Sequence, residues 1–284
     1  SNAGPASARN TGAAAACGDY LVFTDDDCQP HPHWLKTLAE AINDFSNTLI
    51  GGHTINALPD NIYSSASQLL IDYLYDYYNL QKGAATFFTS NNFALPRELY
   101  QKLGGFDTSF PLAAGEDREF CDRWLHQGFK MHYARAMKIH HAHSLKLKSF
   151  WRQHFNYGRG AFYFHKVRSQ RQSESIKLEP LTFYFRLLVY PFKKQQCWQS
   201  FSLSGLFFLC QVAIVAGFFL GKTPTEIKTI CDYGSLFKSL KLSVFVFTGS
   251  NNWFGRVLVS KLRKLFGNWE SLSIKLDSFC CQST

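Results

Sequence analysis

Three adjacent carboxylates, Asp25, Asp26 and Asp27, stand at the end of the apolar run Tyr20-Leu21-Val22-Phe23-Thr24. A run of five β-branched and aromatic residues reads as a buried strand, and buried strands do not ordinarily end in three like charges. Carboxylates this close repel one another unless a cation sits between them. In open α/β sheets ligands bind just beyond the carboxyl ends of strands. The triplet therefore reads as a divalent-metal site aimed at an anionic ligand. The competing reading is a solvated turn that caps the following helix.

A second acidic feature, Gly115-Glu116-Asp117, lies 90 positions beyond Asp27. It falls at the start of a predicted helix, where the macrodipole favours negative charge, so it is also an ordinary helix opening. As chemistry, a carboxylate there stays ionised at neutral pH and can take a proton from a hydroxyl. A third feature, His140-His141-Ala142-His143, follows a predicted strand over 129–139. On a strand His141 and His143 share a face, opposite His140. Tyr157-Gly158-Arg159-Gly160 either brings a cation to an anionic ligand or is a glycine-relaxed helix junction.

Alternating strands and helices must position these groups, which implies an α/β fold. Residues 5–17 read as a helix with Pro5 in its first turn and Gly18 past its end. Pro32 opens a second helix, with Trp34, Leu35, Leu38, Ala41, Ile42 and Phe45 on one face. Short strands are predicted at 49–52 and 86–89, the latter leading into Ser90-Asn91-Asn92. Between them lies a tyrosine-rich helix over 64–80, read as aromatic core rather than ligand groove. Pro96 opens a short helix ending at Gly104-Gly105, and Glu116-Asp117 opens one that stops at Gly128. A basic aromatic helix follows over 147–166, then a polar loop over 169–180 and a short apolar stretch over 181–192.

Charge divides the chain. Residues 1–143 carry 10 Lys and Arg against 15 Asp and Glu, and residues 144–284 carry 20 against 6. A basic half can meet nucleic acid or an anionic membrane. Its long apolar runs and the lack of any recognition motif argue against nucleic acid. Phe201 to Leu220 runs without a charge, long enough to span hydrocarbon and flanked by Lys193, Lys194 and Lys222. A transmembrane helix over 193–222 is expected, a buried core helix being the alternative. Residues 253–266 suit a helix on a membrane surface or an amphipathic packing helix. The eight scattered Cys give neither a disulfide framework nor a zinc site, which points to a reducing compartment.

Ala8-Arg9-Asn10-Thr11-Gly12, the run from Tyr20 through Asp25-Asp26-Asp27-Cys28-Gln29-Pro30 and Trp34-Leu35 together resemble family-2 glycosyltransferases of the GT-A fold. Leu103-Gly104-Gly105-Phe106-Asp107 with Gly115-Glu116-Asp117-Arg118-Glu119-Phe120 is a second, independent match. The resemblance covers about residues 4–166. It implies a GT-A-like, Rossmann-like mixed sheet flanked by helices over 4–143, a basic aromatic extension over 144–192, and a helical, membrane-associated C-terminal region. It implies that Asp25 and Asp27 hold Mn²⁺ or Mg²⁺, with Asp26, Arg9 and Asn10 beside the nucleotide-sugar, and that Asp117 is the general base with Glu116 in the acceptor site. In some such enzymes a His of this region completes the metal shell, so His141 and His143 are metal-ligand candidates; the alternative is surface or diphosphate-binding histidines.

The implied activity is inverting, metal-dependent transfer from a UDP- or GDP-linked sugar to a hydroxyl of a glycan or lipid-linked acceptor, at the cytoplasmic face of a membrane. The resemblance also implies a nucleobase-binding strand-helix-strand portion ahead of Gly4, so the chain is expected to be N-terminally truncated. The competing expectation is a membrane-bound remnant or interaction module that keeps the metal site without catalysis. No family pattern is recognised after residue 222.

Overall fold

A computed structural model describes residues 4–80, 84–110, 112–172, 179–194 and 197–220. The element order is α1 (Gly4–Ala15), β1 (Tyr20–Thr24), β2 (Cys28–Pro30), α2 (Trp34–Asp44), β3 (Thr48–Asn56), α3 (Ile62–Tyr75) closed by a π turn at Asp76–Leu80, β4 (Asn92–Pro96), α4 (Arg97–Leu103), α5 (Glu116–His126), β5 (Lys130–His141), α6 (Leu147–Gln172), α7 (Leu181–Val189), α8 (Pro191–Lys194) and α9 (Cys197–Leu220). The five strands form one mixed sheet in the order β1-β4-β3-β5-β2. Only β3 and β5 run parallel; the other three pairings are antiparallel. The mixed sheet with helices against it agrees with the expected fold class.

Two apolar layers cover the sheet. Phe23, Phe93, Tyr100, Phe106, Phe120 and Trp124 pack on one side, and Trp34, Leu38, Ile50, Ala94, Met137 and Ile139 on the other. Fully buried Asn92 joins the layers to the backbone. Its Oδ1 accepts from Trp34 Nε1 at 2.9 Å, and its Nδ2 donates to the carbonyls of Met137 and His53 at 3.0 and 3.2 Å. A buried amide with both ends satisfied costs little and fixes one arrangement.

Three strand expectations shift. β1 is an edge strand, not a doubly buried one: Leu21 and Phe23 face the core while Val22 is exposed. Residues 86–89 are not a strand, because Asn79 claims their polar groups. Asn79 Oδ1 accepts from the backbone of Thr86 and Phe87, and its Nδ2 donates to Phe87 O. The strand begins instead at Asn92. β3 extends past Gly52 to Asn56, and Arg135, Ala136 and Met137 bulge out of β5 between its paired stretches. A Cβ on Gly52 would lie 2.2 Å from Met137 O, so only glycine admits that bulge. The bulge carries β5 on to His141, which pairs with Cys28 of β2.

The tyrosines of 73–78 are aromatic core, as expected: Tyr73, Tyr75 and Tyr78 are buried. Leu35, expected on the core face of α2, is exposed. α6 continues through the expected polar loop to Gln172, held by Arg168 and Arg171 against Asp122 and Glu119 of α5. α9 packs along α6 and also against α3, α7 and α8. Phe150, Phe183, Leu187, Leu203 and Phe207 form the core between them. The expectations for 223–284, including the 253–266 helix, lie outside the described residues.

Candidate active site at the carboxylate turn

β1 and β2 are joined by a tight turn, Cys28 N donating to Asp25 O at 3.2 Å. The turn sends the three carboxylates in different directions. Asp25 Oδ1 receives Arg9 Nη2 at 3.1 Å, Asp26 is exposed, and Asp27 faces the end of β5. His141 Nε2 lies 3.1 Å from Asp27 Oδ1, and His143 Nδ1 lies 3.5 Å from Asp27 Oδ2. The two imidazoles stack with centroids 5.3 Å apart, although β5 ends at His141 and His143 reaches the same carboxylate from the segment after the strand.

Asp27, Cys28 and His141 each place a donor atom within 4.8 Å of the others, a set able to hold a metal ion. The chemistry of that set is selective. The Cys28 thiol, which burial pushes up to about 12, is a soft donor and the one least suited to a hard cation. Carboxylate and imidazole are the better-matched donors, with His143 close by. These donors fit a divalent cation of the Mn²⁺ or Mg²⁺ kind. Asp25 is not part of the cluster; the structure turns it to Arg9. In the sequence Cys28 is only part of the turn motif; its donor position shows once β2 pairs with β5.

The second acidic motif comes to the same place. α5 begins at Glu116 after Gly115, whose φ of 90° is a left-handed conformation suited to glycine. Arg9 reaches across from α1. Its Nη1 is 3.2 Å from Glu116 Oε1 and 3.9 Å from Asp117 Oδ1, and its guanidinium lies over the Phe106 ring. One cation, 107 positions before Glu116 in sequence, thus joins the β1 turn to the α5 start. Burial acts to lower the Arg9 pKa, but the fields of Asp117, Asp25 and Glu116 carry it upward overall.

Burial, more than any charge, raises both carboxyls of the pair. Glu116 is pushed up to about 7, the Asp117 charge adding to the effect of burial. Asp117 is also raised, against the stabilising pull of Arg9 and of the Ser90 hydrogen bonds. The helix start therefore does not leave these groups at ordinary acidity, which corrects the expectation from the macrodipole alone. Adjacent and buried together, the two carboxyls share their protons, so their titration belongs to the pair rather than to either residue.

Asp117 is anchored on one side only. Ser90 N donates to its Oδ2 at 3.1 Å, while its buried Oδ1 accepts no hydrogen bond. A buried carboxylate oxygen without a donor is costly, and a ligand hydroxyl would satisfy it. Ser90 was singled out in the sequence only as part of a polar triplet. Asn10 faces elsewhere: its Nδ2 donates to Phe106 O and its Oδ1 accepts from Phe106 N, each at 2.8 Å. Arg123 clamps the same turn from α5 through the carbonyls of Leu103 and Gly105. The Gly104-Gly105-Phe106 turn is therefore a strut that places Arg9, and Asn10 serves that strut.

The two glycines of Tyr157-Gly158-Arg159-Gly160 do not relax a junction, since α6 runs straight through. They are points of close approach. A Cβ on Gly158 would lie 2.0 Å from Ile214 O of α9, and one on Gly160 would lie 2.2 Å from Ala114 O. Arg159 keeps a buried Nε without a hydrogen-bond partner.

Residues 1–104 match the family model described as glycosyl transferase family 2, and residues 72–148 match that described as N-terminal domain of galactosyltransferase. The pre-mycofactocin glycosyltransferase of Mycobacterium tuberculosis is 26% identical over 162 residues, 56% of this chain and 34% of that protein. Glycosyltransferase AglE of Haloferax volcanii is 37% identical over 57 residues, 20% of this chain and 19% of that protein. The chain thus spans about a third or less of the curated relatives it matches. A crystal structure of GalNAc-T7 with UDP, GalNAc and Mn²⁺ is similar at a TM-score of 0.40 and 18% identity, over 65% of this chain and 40% of that one.

Proposed function

With residues 1–148 a glycosyltransferase domain of the GT-A kind, we propose that this chain transfers a sugar, with inversion, from a UDP- or GDP-linked donor to a hydroxyl of a glycan or lipid-linked acceptor. One observation carries the reading. Arg9 joins Asp25, in the turn that carries Asp27, to Glu116 and Asp117, which supports reading the Asp27–His141–His143 cluster and Asp117 Oδ1 as one site. Asp27, His141 and His143 would hold the divalent cation, and two imidazoles in the set favour Mn²⁺ over Mg²⁺. When bound, the cation supplies neutralisation of the charge left on the departing nucleoside diphosphate.

The chain's own residues supply the rest. Asp117 Oδ1 accepts the proton of the acceptor hydroxyl as that oxygen bonds to the anomeric carbon. The bond from that carbon to the diphosphate oxygen breaks on the opposite face. Ser90 N–H keeps Asp117 pointed, Glu116 shares the pair's protons beside it, and Arg9 balances the carboxylates before ligands enter.

Calorimetry of the full chain with UDP or GDP, with and without Mn²⁺, tests the donor half. The expected result is nucleotide binding that needs the cation. A folded sample that binds neither nucleotide points instead to a non-catalytic remnant.

The membrane belongs to the same proposal, in modified form. Residues Trp198–Phe219 of α9 have mean hydropathy 2.0, and 28% of the helix's most apolar stretch is buried. Trp198, Phe201, Phe208, Val212, Val215 and Phe219 share an outward stripe. The opposite face is bound to α6, where a Cβ on Gly217 would lie 1.9 Å from Phe155 O. α6 carries Arg152, Arg159, Lys166, Arg168 and Arg171, so a crossing α9 would take those charges into hydrocarbon or lose its partner. An orientation in the membrane plane, stripe in lipid and exposed Lys193 and Lys194 near the headgroups, suits these contacts better than a span. The unpaired Cys17, Cys28, Cys121 and Cys210 are consistent with the cytoplasmic side.

In flotation with vesicles of phosphatidylcholine and phosphatidylglycerol, the chain is expected to float and to be stripped at alkaline pH. The double variant Phe201→Glu, Phe208→Glu is expected to stay at the bottom. Resistance of the wild type to alkaline stripping would restore the spanning helix.

A further inference from the structure

Beside His143 stands a side chain with no role so far. Gln153 is on α6, 10 positions beyond His143, half-buried against α3. Its Oε1 lies 3.2 Å from His143 Nε2, and its Nε2 donates to Tyr157 Oη at 2.7 Å and Ser67 Oγ at 3.2 Å. Every polar atom of the amide is therefore engaged, and its two anchors come from different helices.

The consequence falls on the other nitrogen of His143. Nδ1 faces Asp27 Oδ2 at 3.5 Å. An Nε2–H that donates to Gln153 Oε1 leaves a neutral imidazole with its lone pair at Nδ1. A lone pair aimed at a carboxylate is repulsive unless a cation lies between them. Metal-bound histidines are characteristically oriented in this way, by a hydrogen bond from the far ring nitrogen to an acceptor.

We propose that Gln153 is a positioning residue for the metal centre, holding the His143 ring with Nδ1 directed at the Asp27 cluster, and that Tyr157 and Ser67 lock Gln153 in place. The inference rests on the reading that this cluster binds a divalent cation. It also gives α6 a part in the site: the helix that seats α9 carries the group that orients His143. His141 needs no such device, because its β5 position already pairs with β2.

The test is Mn²⁺ affinity of the full-length chain, by calorimetry and by the paramagnetic signal of free Mn²⁺. Wild type, Gln153→Ala, His143→Ala and the double variant are compared, and circular dichroism checks folding. Gln153→Ala is expected to weaken binding about 10- to 100-fold. Gln153→Glu, which keeps the acceptor, is expected to recover most of that loss. In the His143→Ala background Gln153→Ala is expected to change nothing further, which a merely structural role would not produce. Equal losses in both backgrounds, or a Gln153→Ala affinity within about twofold of wild type, overturns the proposal and leaves the metal site standing. A folded wild type that binds no Mn²⁺ overturns the metal reading itself.

Discussion

Asp117→Asn is expected to lower the proposed transfer rate about 10²- to 10⁴-fold while metal-dependent donor affinity is retained. That range is what a positioned general base contributes. The substitution is close to isosteric, and an Asn oxygen can still accept from Ser90 N, which holds Oδ2 at 3.1 Å. Arg9 keeps its closer partners, Asp25 and Glu116, at 3.1 and 3.2 Å. What is lost is the basicity of Oδ1, the buried oxygen that accepts no hydrogen bond. The loss should fall on kcat with donor binding little changed, because the proton moves only as the new bond forms. Single-turnover transfer and calorimetry on the same preparation read the two quantities separately. Full activity in the variant would pass the role to Glu116, whose carboxyl lies near 7 and could work as the base in its place.

The parts of this site that could be read in the sequence are those where local chemistry and position coincide. Asp25 to Asp27 announce a site because three carboxylates at a strand end have no structural use. Glu116 and Asp117 announce a helix start, and their order after the triplet gives that start a purpose. The glycine stops at Gly104 and Gly128 are legible because a left-handed backbone favours glycine, and both have φ above 80° or at it in the structure.

Other features depend on the partner that packing supplies. Nothing in Asp25-Asp26-Asp27 says that Asp25 turns to Arg9 and Asp27 to two histidines. That division follows from the β2–β5 pairing and from the three-residue bulge of β5. Residues 86–89 have the composition of a strand and are not one, because a single amide from Asn79 satisfies their backbone. Gln153 carried no signal at all: a glutamine on a basic aromatic helix is ordinary until His143 is found beside it. Arg9 and Asn10 are adjacent and looked alike as ligand contacts. One faces the carboxylates and the other is spent on the Phe106 backbone.

Gly160→Ala is the second large effect, and it shows how the catalytic turn is held. Gly115 and Gly160 meet backbone to backbone: a Cβ on Gly160 would lie 2.2 Å from Ala114 O, and one on Gly115 would lie 2.8 Å from Gly160 O. Neither neighbour is a flexible side chain, so an added methyl must push the Ala114-Gly115 turn away from α6. That turn leads directly into Glu116 and Asp117, and the hydrogen bond from Ser90 N holds the aim of Asp117. A displacement of about 1 Å at a reacting group costs about a hundredfold in rate, and overpacking costs about 1–3 kcal/mol in stability. Gly160→Ala should therefore lose about a hundredfold in kcat with Mn²⁺ affinity intact, since the turn it presses on, Ala114-Gly115, carries none of Asp27, His141 and His143. Gly158→Ala is the matched control: two positions away on α6, it presses on Ile214 O of α9 instead. It should lower the melting temperature at least as much while the folded fraction keeps its turnover. A Gly160→Ala enzyme with kcat within about threefold of wild type would mean that the turn tolerates the shift, and that the close contact serves packing alone.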